Sequence, residues 1–166
     1  MPHEVPIEIT HRVRDSCLCL HAQRAARALA RRFDEALRPV GLTSGQFSLL
    51  MSLNRAEPPT MGQVSALLAM DRTTLTANLK PLERRELVSV TVDAADRRAR
   101  RMRLTPAGRT VLAAAVPIWE ATHAEAERLL GESSPDRLRA DLRALSSPGT
   151  AMTISGTASL RERSGD

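Results

Sequence analysis

The sequence predicts a mainly α fold carrying one small β ribbon, and three observations predict it. Hydrophobic residues make up 42% of the chain but aromatic residues only 2%, so the core must be built from Leu, Ala and Val, which favours helices over a β-sandwich. Helix starts are marked by Thr and Asp caps, two of them with Gln three residues on, the pattern that satisfies orphan backbone N–H groups. One short segment, Val88 to Leu104, alternates apolar and polar residues on both sides of a turn, as a two-stranded hairpin does. At 166 residues the chain is one domain by length, with room for a core that needs no staple.

Residues 1–9 hold two prolines and no periodicity and read as an arm. From Thr10 to Arg38 the spacing predicts one long helix, in which Leu18, Ala22, Ala25, Leu29, Phe33 and Ala36 form an apolar stripe that Cys19, Ala26, Ala30 and Leu37 widen. A stripe that broad packs against more than one neighbour, while Arg24, Arg27, Arg31 and Arg32 remain for solvent or phosphate. Pro39 and Gly41 stop the helix. Thr43 with Gln46 and Thr60 with Gln63 then fit the capping box. The helices they open turn Phe47, Leu50 and Leu53, and Val64, Leu67 and Leu68, inward. Only Met70 and Asp71 separate the second of these from a third helix, Asp71 to Arg85, which Asp71 caps; short helices joined this tightly form a helix-turn-helix.

On that third helix Leu75, Leu79 and Leu82, with the later Leu87, recur on one buried face, and Thr73, Ala77, Lys80 and Arg84 fall opposite. A small, polar, basic face suits the floor of a DNA major groove. An ordinary solvated face has the same composition, and the next segment decides between them. Val88, Val90 and Val92 alternate with Ser89 and Thr91, a turn follows at Asp93 to Asp96, and Met102 and Leu104 alternate on the return, giving a ribbon with an arginine-rich tip. Pro81 predicts a bend in the preceding helix. Beyond the ribbon, Thr105 caps and Pro106 opens a long helix to about Leu130, with Val111, Leu112, Val116 and Trp119 inside and a kink expected at Pro117. Ser134-Pro135 opens a last helix through Leu138, Leu142 and Leu145. Residues 147–166, rich in Ser, Gly and Thr, read as a flexible tail.

The net charge is +5, and residues 71–109 carry ten basic against five acidic side chains, so this segment holds the whole excess. A local basic patch points to a polyanion. Five arginines between Arg97 and Arg103 on a turn, with no amphipathic apolar face beside them, favour nucleic acid over a membrane. No stretch approaches the apolar length of a membrane span, and the N-terminus lacks a basic region followed by an apolar run; the cytoplasm is the expected compartment.

These residues resemble the winged helix-turn-helix of the MarR family of bacterial transcription regulators. The resemblance rests on four ordered motifs: Met70 to Thr76 (MDRTTLT), Leu82 to Val88 (LERRELV), Asp93 to Arg98 (DAADRR) and Leu104 to Gly108 (LTPAG). It covers roughly residues 10 to 146. It implies a MarR-type domain over 1–146, with dimerisation helices at 10–38 and 105–146 flanking a DNA-binding lobe at 43–104. In the family the first helix and the last two interlock with those of a second subunit. The wing arrangement implied is Arg98 in the minor groove, Asp96 and Asp71 as the carboxylates that orient it, and Arg97, Arg100 and Arg101 on phosphates. With Arg72, Thr73, Thr74, Thr76, Ala77, Lys80 and Arg84 of the reading helix, these make up the expected DNA-contact set.

Enzymatic readings find little support: the sequence has no Gly-rich phosphate loop, no nucleophile elbow, and no histidine pair at metal spacing. No cofactor or metal is implied. One branch of the MarR family senses organic hydroperoxides through a cysteine near the start of its first long helix, and an ungapped match puts Cys19 there. That branch activates its thiolate with tyrosine hydroxyls, whereas this chain has no tyrosine, and Gln23 and Phe33 stand in those places. Without a donor or a cation, a thiol on an apolar face stays inert, so a core cysteine is the preferred reading of Cys19. Cys17 and Cys19, both on one helix, would point to different sides and stay unbridged.

The expectation is therefore a homodimeric regulator, a repressor, on a near-palindromic duplex with its reading helices ~34 Å apart. A small-molecule effector is expected in the cleft between the dimerisation helices and the DNA-binding lobe. Two alternatives stay open. One is a thiol-based oxidant-sensing repressor using Cys19. The other is a helical protein-interaction module with an incidental basic patch, which would bind its partner without salt dependence and ignore duplex DNA.

Overall fold

The computed structural model describes residues 4–146; the first three residues of the expected arm and the expected tail at 147–166 lie outside them. Seven α-helices and two strands follow in order among the described residues, with one 3-10 turn at Arg38–Val40: α1 Ile7–Ser16, α2 Leu18–Leu37, α3 Ser44–Leu53, α4 Met61–Leu68, α5 Arg72–Arg84, β1 Val88–Val92, β2 Arg100–Leu104, α6 Pro106–Arg128 and α7 Pro135–Ser146. The described residues divide into one unit that ends at Leu129 and another that begins at Leu130, so α7 belongs to a different unit from α6.

The capping chemistry sets the helix starts. Thr43 and Thr60 each accept the backbone N–H three residues on, at 3.3 and 3.2 Å, while Gln46 and Gln63 return a carbonyl to the cap's own N–H at 3.1 and 2.8 Å. Thr105 accepts the Gly108 N–H at 3.0 Å and opens α6 with Pro106 at its first position. Both α5 and α6 continue through their prolines, Pro81 and Pro117.

The expected single first helix is two. Cys17 breaks it with an extended ψ of 106°, its N–H bonding back to the Val13 carbonyl at 3.1 Å and its own carbonyl accepting from the His21 N–H at 3.1 Å. Ser16 turns its hydroxyl onto the Arg12 carbonyl, the local competition that weakens helices at Ser. Neither glycine nor proline marks the break. Residues Ile7 to Ile9, expected in the arm, already belong to α1.

The core of the first unit gathers Leu37, Phe47, Leu49, Leu50, Val64, Leu75, Leu79, Leu82, Met102, Leu104 and Leu112, all buried. Helix α4 ends on Ala69 in the left-handed region, φ 49°, and this single residue makes the tight turn into α5. Glu86, φ 56°, does the same between α5 and β1. The ribbon is antiparallel, pairing Val88 with Leu104, Val90 with Met102 and Val92 with Arg100. Its base is sewn to the loop before α4, where the Met102 N–H donates to the Pro59 carbonyl at 3.0 Å.

Among the described residues the broad apolar stripe of the N-terminal helices is covered only toward its end, where Phe33 packs on the core. Leu37 is the one buried residue of α2, and Leu18 is 71% exposed. Helix α7, described by itself, places Leu138, Leu142 and Leu145 at spacings of four and three on one exposed face. Its other residues pair as Arg137 with Asp141 and Arg139 with Asp136.

Candidate nucleic-acid interface

Helix α5 presents the face the spacing predicted. Leu75, Leu79 and Leu82 are buried, and Arg72, Thr73, Thr74, Ala77, Lys80 and Arg84 are exposed, with Thr76 half-buried. Asp71 caps it: one carboxylate oxygen accepts the Thr74 N–H at 2.8 Å and the other the Thr74 hydroxyl at 2.7 Å. The backbone N–H of Thr74, then its hydroxyl, hold this carboxyl below the usual carboxylate range. Thr76 spends its hydroxyl on the Arg72 carbonyl at 2.7 Å.

The wing comes back beside the start of this helix. A groove of about 370 Å³ is lined by Thr60, Met61, Gly62 and Ser65 of the α4 region, Arg72 and Leu75 of α5, and Arg98, Ala99 and Arg100 of the wing. The fold thus brings Arg72, Arg98 and Arg100 to one groove. Asp96 accepts the Arg98 backbone N–H at 2.9 Å. Among the described residues no ion pair joins Arg98 to Asp96 or to Asp71 and none offers the Arg98 guanidinium a partner; Asp71 is occupied as the helix cap.

The wing arginines, expected alike on phosphates, separate into distinct environments. Arg97 is exposed. Arg100 folds its guanidinium back onto the Arg97 and Ala99 carbonyls at 3.0 and 3.3 Å. Arg101 departs from the expectation, because its Nε–H donates to the Asp93 carboxylate and its NH1 to the Pro58 carbonyl at 2.7 Å. Asp93, assigned by the sequence only to a turn, is the residue this site adds: its side chain is 5% exposed, and it accepts the Ala95 and Asp96 N–H groups at 2.7 and 3.0 Å. Those two N–H groups, aided by the Arg101 guanidinium and opposed by burial, hold its carboxyl below the usual range. An Asp opening a four-residue turn is the only sequence signal for it.

A second concavity, of about 500 Å³, lies between α3, α4 and α6, walled by Phe47, Met51, Leu67, Val116 and Trp119 with Ser48, Ser52 and Arg55 as polar groups. Trp119 stacks between Phe47 and His123, with ring centroids 6.2 and 4.8 Å away.

The cysteines do not occupy the core. Cys19 is exposed and Cys17 half-buried, and the Gln23 side-chain amide donates to the Cys19 Sγ at 3.2 Å. Since Cys17 sits in the break rather than inside a helix, the argument that one helix holds both thiols apart does not apply.

The comparisons with known proteins agree with this geometry. A sequence model of the MarR family matches residues 40–99. The M. tuberculosis transcriptional regulator MosR, solved in complex with DNA, is 41% identical, with 78% of this chain and 93% of that chain covered at a TM-score of 0.70. The transcriptional repressor CouR, bound to a 23-mer DNA duplex, is 28% identical, with 87% and 99% covered and a TM-score of 0.71. A probable transcriptional regulator from Pseudomonas aeruginosa is 27% identical, with 79% and 98% covered and a TM-score of 0.70. No curated protein matches the chain. With a capped reading helix, an arginine-bearing wing beside it and these likenesses, the chain belongs to the MarR family of winged helix-turn-helix transcription regulators.

Proposed function

We propose that the chain is a homodimeric, cytoplasmic repressor that holds a near-palindromic operator and lets go when a small molecule fills the cleft beside Trp119. The observation that carries the DNA reading is the Arg98 guanidinium, unpartnered among the described residues, in the groove shared by the wing, α4 and α5. The face of Thr73, Ala77, Lys80 and Arg84 reads the major groove, and Arg72, Arg97 and Arg100 supply phosphate contacts, with Thr74 and Thr76 beside them. DNA-bound MosR and CouR support this assignment. Uncovered leucines on α2 and α7 support the dimer, since exposed apolar faces of this kind mark interaction surfaces. The cleft has the size and mostly apolar lining of a small-molecule site, and Arg55 at its wall favours a ligand with an anionic group. Repeated rounds of retention on the purified protein from a random duplex pool test the reading. A two-fold-related consensus is expected; retention without sequence enrichment contradicts it.

A second reading, an oxidant sensor on the same scaffold, gains from the structure. Cys19 is exposed, has an amide donor on its sulfur and lies next to a helix break, three features of a reactive rather than a buried thiol. Peroxide treatment of wild type and Cys19→Ser, followed by duplex titration, decides. Release of wild type alone establishes the sensor, and equal retention of both removes it.

A further inference from the structure

We propose that Asp93 and Arg101 are a positioning pair that fixes the pose in which Arg98 meets DNA. The inference rests on the assignment of Arg98 to the groove. A continuous run of bonds joins the helix-turn-helix to the wing tip. It begins at the Pro58 carbonyl, two residues before the cap of α4, which accepts from Arg101 at 2.7 Å. Arg101 then donates to Asp93, Asp93 accepts the N–H groups of Ala95 and Asp96, and Asp96 accepts the N–H of Arg98 at 2.9 Å. Backbone bonds close the same turn, from Asp93 N–H to the Ala99 carbonyl at 3.1 Å and from Ala99 N–H to the Asp96 carbonyl at 2.9 Å. The tip bearing Arg98 is therefore tied to the reading lobe by a side-chain strut as well as by the ribbon.

Charge alone gives Asp93 the wrong sign for this surface. A carboxylate on a DNA-facing wing repels a polyanion, so removing it raises affinity if Coulomb effects rule. It lowers affinity if geometry rules. Arg101 separates the two roles as well. A phosphate contact needs only a cation, which Lys supplies, whereas the two-point grip on Asp93 and Pro58 needs the guanidinium fork.

The experiment titrates a labelled duplex, taken from the selection, with wild type, Arg98→Ala, Asp93→Asn, Arg101→Lys and the double variant Asp93→Asn with Arg98→Ala, with circular dichroism melts alongside. Asp93→Asn is expected to weaken binding about tenfold, a coupling within the usual range for bonded neighbours. Arg101→Lys should weaken it comparably. In the Arg98→Ala background Asp93→Asn should change affinity by less than about twofold, since the pair acts through Arg98. Unchanged or tighter binding by Asp93→Asn overturns the proposal, as does an equal loss in both backgrounds. Full affinity in Arg101→Lys also overturns it and returns Arg101 to a phosphate. If Asp93→Asn melts early, Arg101→Lys and its combination with Arg98→Ala carry the same comparison. If Arg98→Ala binds like wild type, the groove assignment itself is wrong and the pair falls with it; if Arg98→Ala weakens binding and Asp93→Asn does not, only the pair is wrong.

Discussion

Gly108 allows the most direct test of how α6 is seated on the ribbon. A Cβ at this position would lie 2.0 Å from the Leu87 carbonyl oxygen and 3.0 Å from its carbon. Restoring even 3.0 Å requires the helix start and that carbonyl to part by about 1 Å. The same carbonyl accepts the Thr105 N–H at 3.1 Å, so the parting carries this contact to about 4 Å, beyond hydrogen-bond range. Gly108→Ala thus loses one bond, about 1 kcal/mol, and adds backbone strain of about 1 to 3 kcal/mol. Against this, Ala gains about 1 kcal/mol over Gly in a helix. The net expectation is a destabilisation of about 1 to 3 kcal/mol, read as a lower urea midpoint at fixed protein concentration with an unchanged slope. Gly62→Ala is the matched control. Its Cβ meets nothing nearer than the Thr60 hydroxyl at 3.9 Å, so it should leave stability unchanged or raise it by up to about 1 kcal/mol. A Gly108→Ala protein as stable as Gly62→Ala would refute the close crossing of α6 over the start of β1.

Three further outcomes follow from the same geometry. Light scattering should find a dimer at micromolar concentration, and Leu142→Glu, which puts a charge on the exposed α7 face, should shift it toward monomer and weaken operator binding; a wild-type monomer would remove the dimer. Trp119 is the only tryptophan of the chain and lines the 500 Å³ cleft, so a ligand that releases DNA should quench or shift its emission, and Arg55→Ala should weaken an anionic ligand without changing DNA affinity; release with unaltered emission would move the effector elsewhere. Asp93 and Asp71 both have depressed folded-state pKa values, so their contribution is fully present above the unfolded value near pH ~4 and is lost as pH falls through the lower folded one; the Ala95 and Asp96 amide resonances should hold steady from neutrality to about pH 4 and move only below it, and a transition centred above pH ~5 would contradict the bonding assigned to Asp93.

Much of the fold was legible because local chemistry specified it. The capping boxes at Thr43 and Thr60, the Asp71 cap and the Thr105-Pro106 start each involve residues at most three positions apart, and the alternation of Val88, Val90 and Val92 with Met102 and Leu104 marks the ribbon, whose buried face holds Val88, Met102 and Leu104 while Val92 is exposed. The break at Cys17 left no such trace, because it is made by backbone and side-chain bonds among ordinary residues without Gly or Pro. The periodicity of the N-terminal stripe says that it packs against more than one neighbour, yet it does not say whether those neighbours lie in the same chain, and among the described residues Leu18 and Leu29 stay open. At the wing, composition fused five arginines into one patch. Their division depends on contacts no spacing rule reaches: Arg101 finds Asp93 eight residues back and Pro58 forty-three back only after the ribbon has packed on the loop before α4.

The central claim, that this face binds duplex DNA through a reading helix and a groove-bound arginine, is tested most directly by titrating Arg98→Ala and Thr73→Ala against a selected duplex and a scrambled one at two salt concentrations. Arg98→Ala should weaken both duplexes alike and flatten the salt dependence. Thr73→Ala should cost more on the selected duplex than on the scrambled one, within the range of about 1 to 3 kcal/mol typical of a base-edge contact. Unchanged affinities for both duplexes in Arg98→Ala, or binding by wild type that ignores salt, would contradict the account.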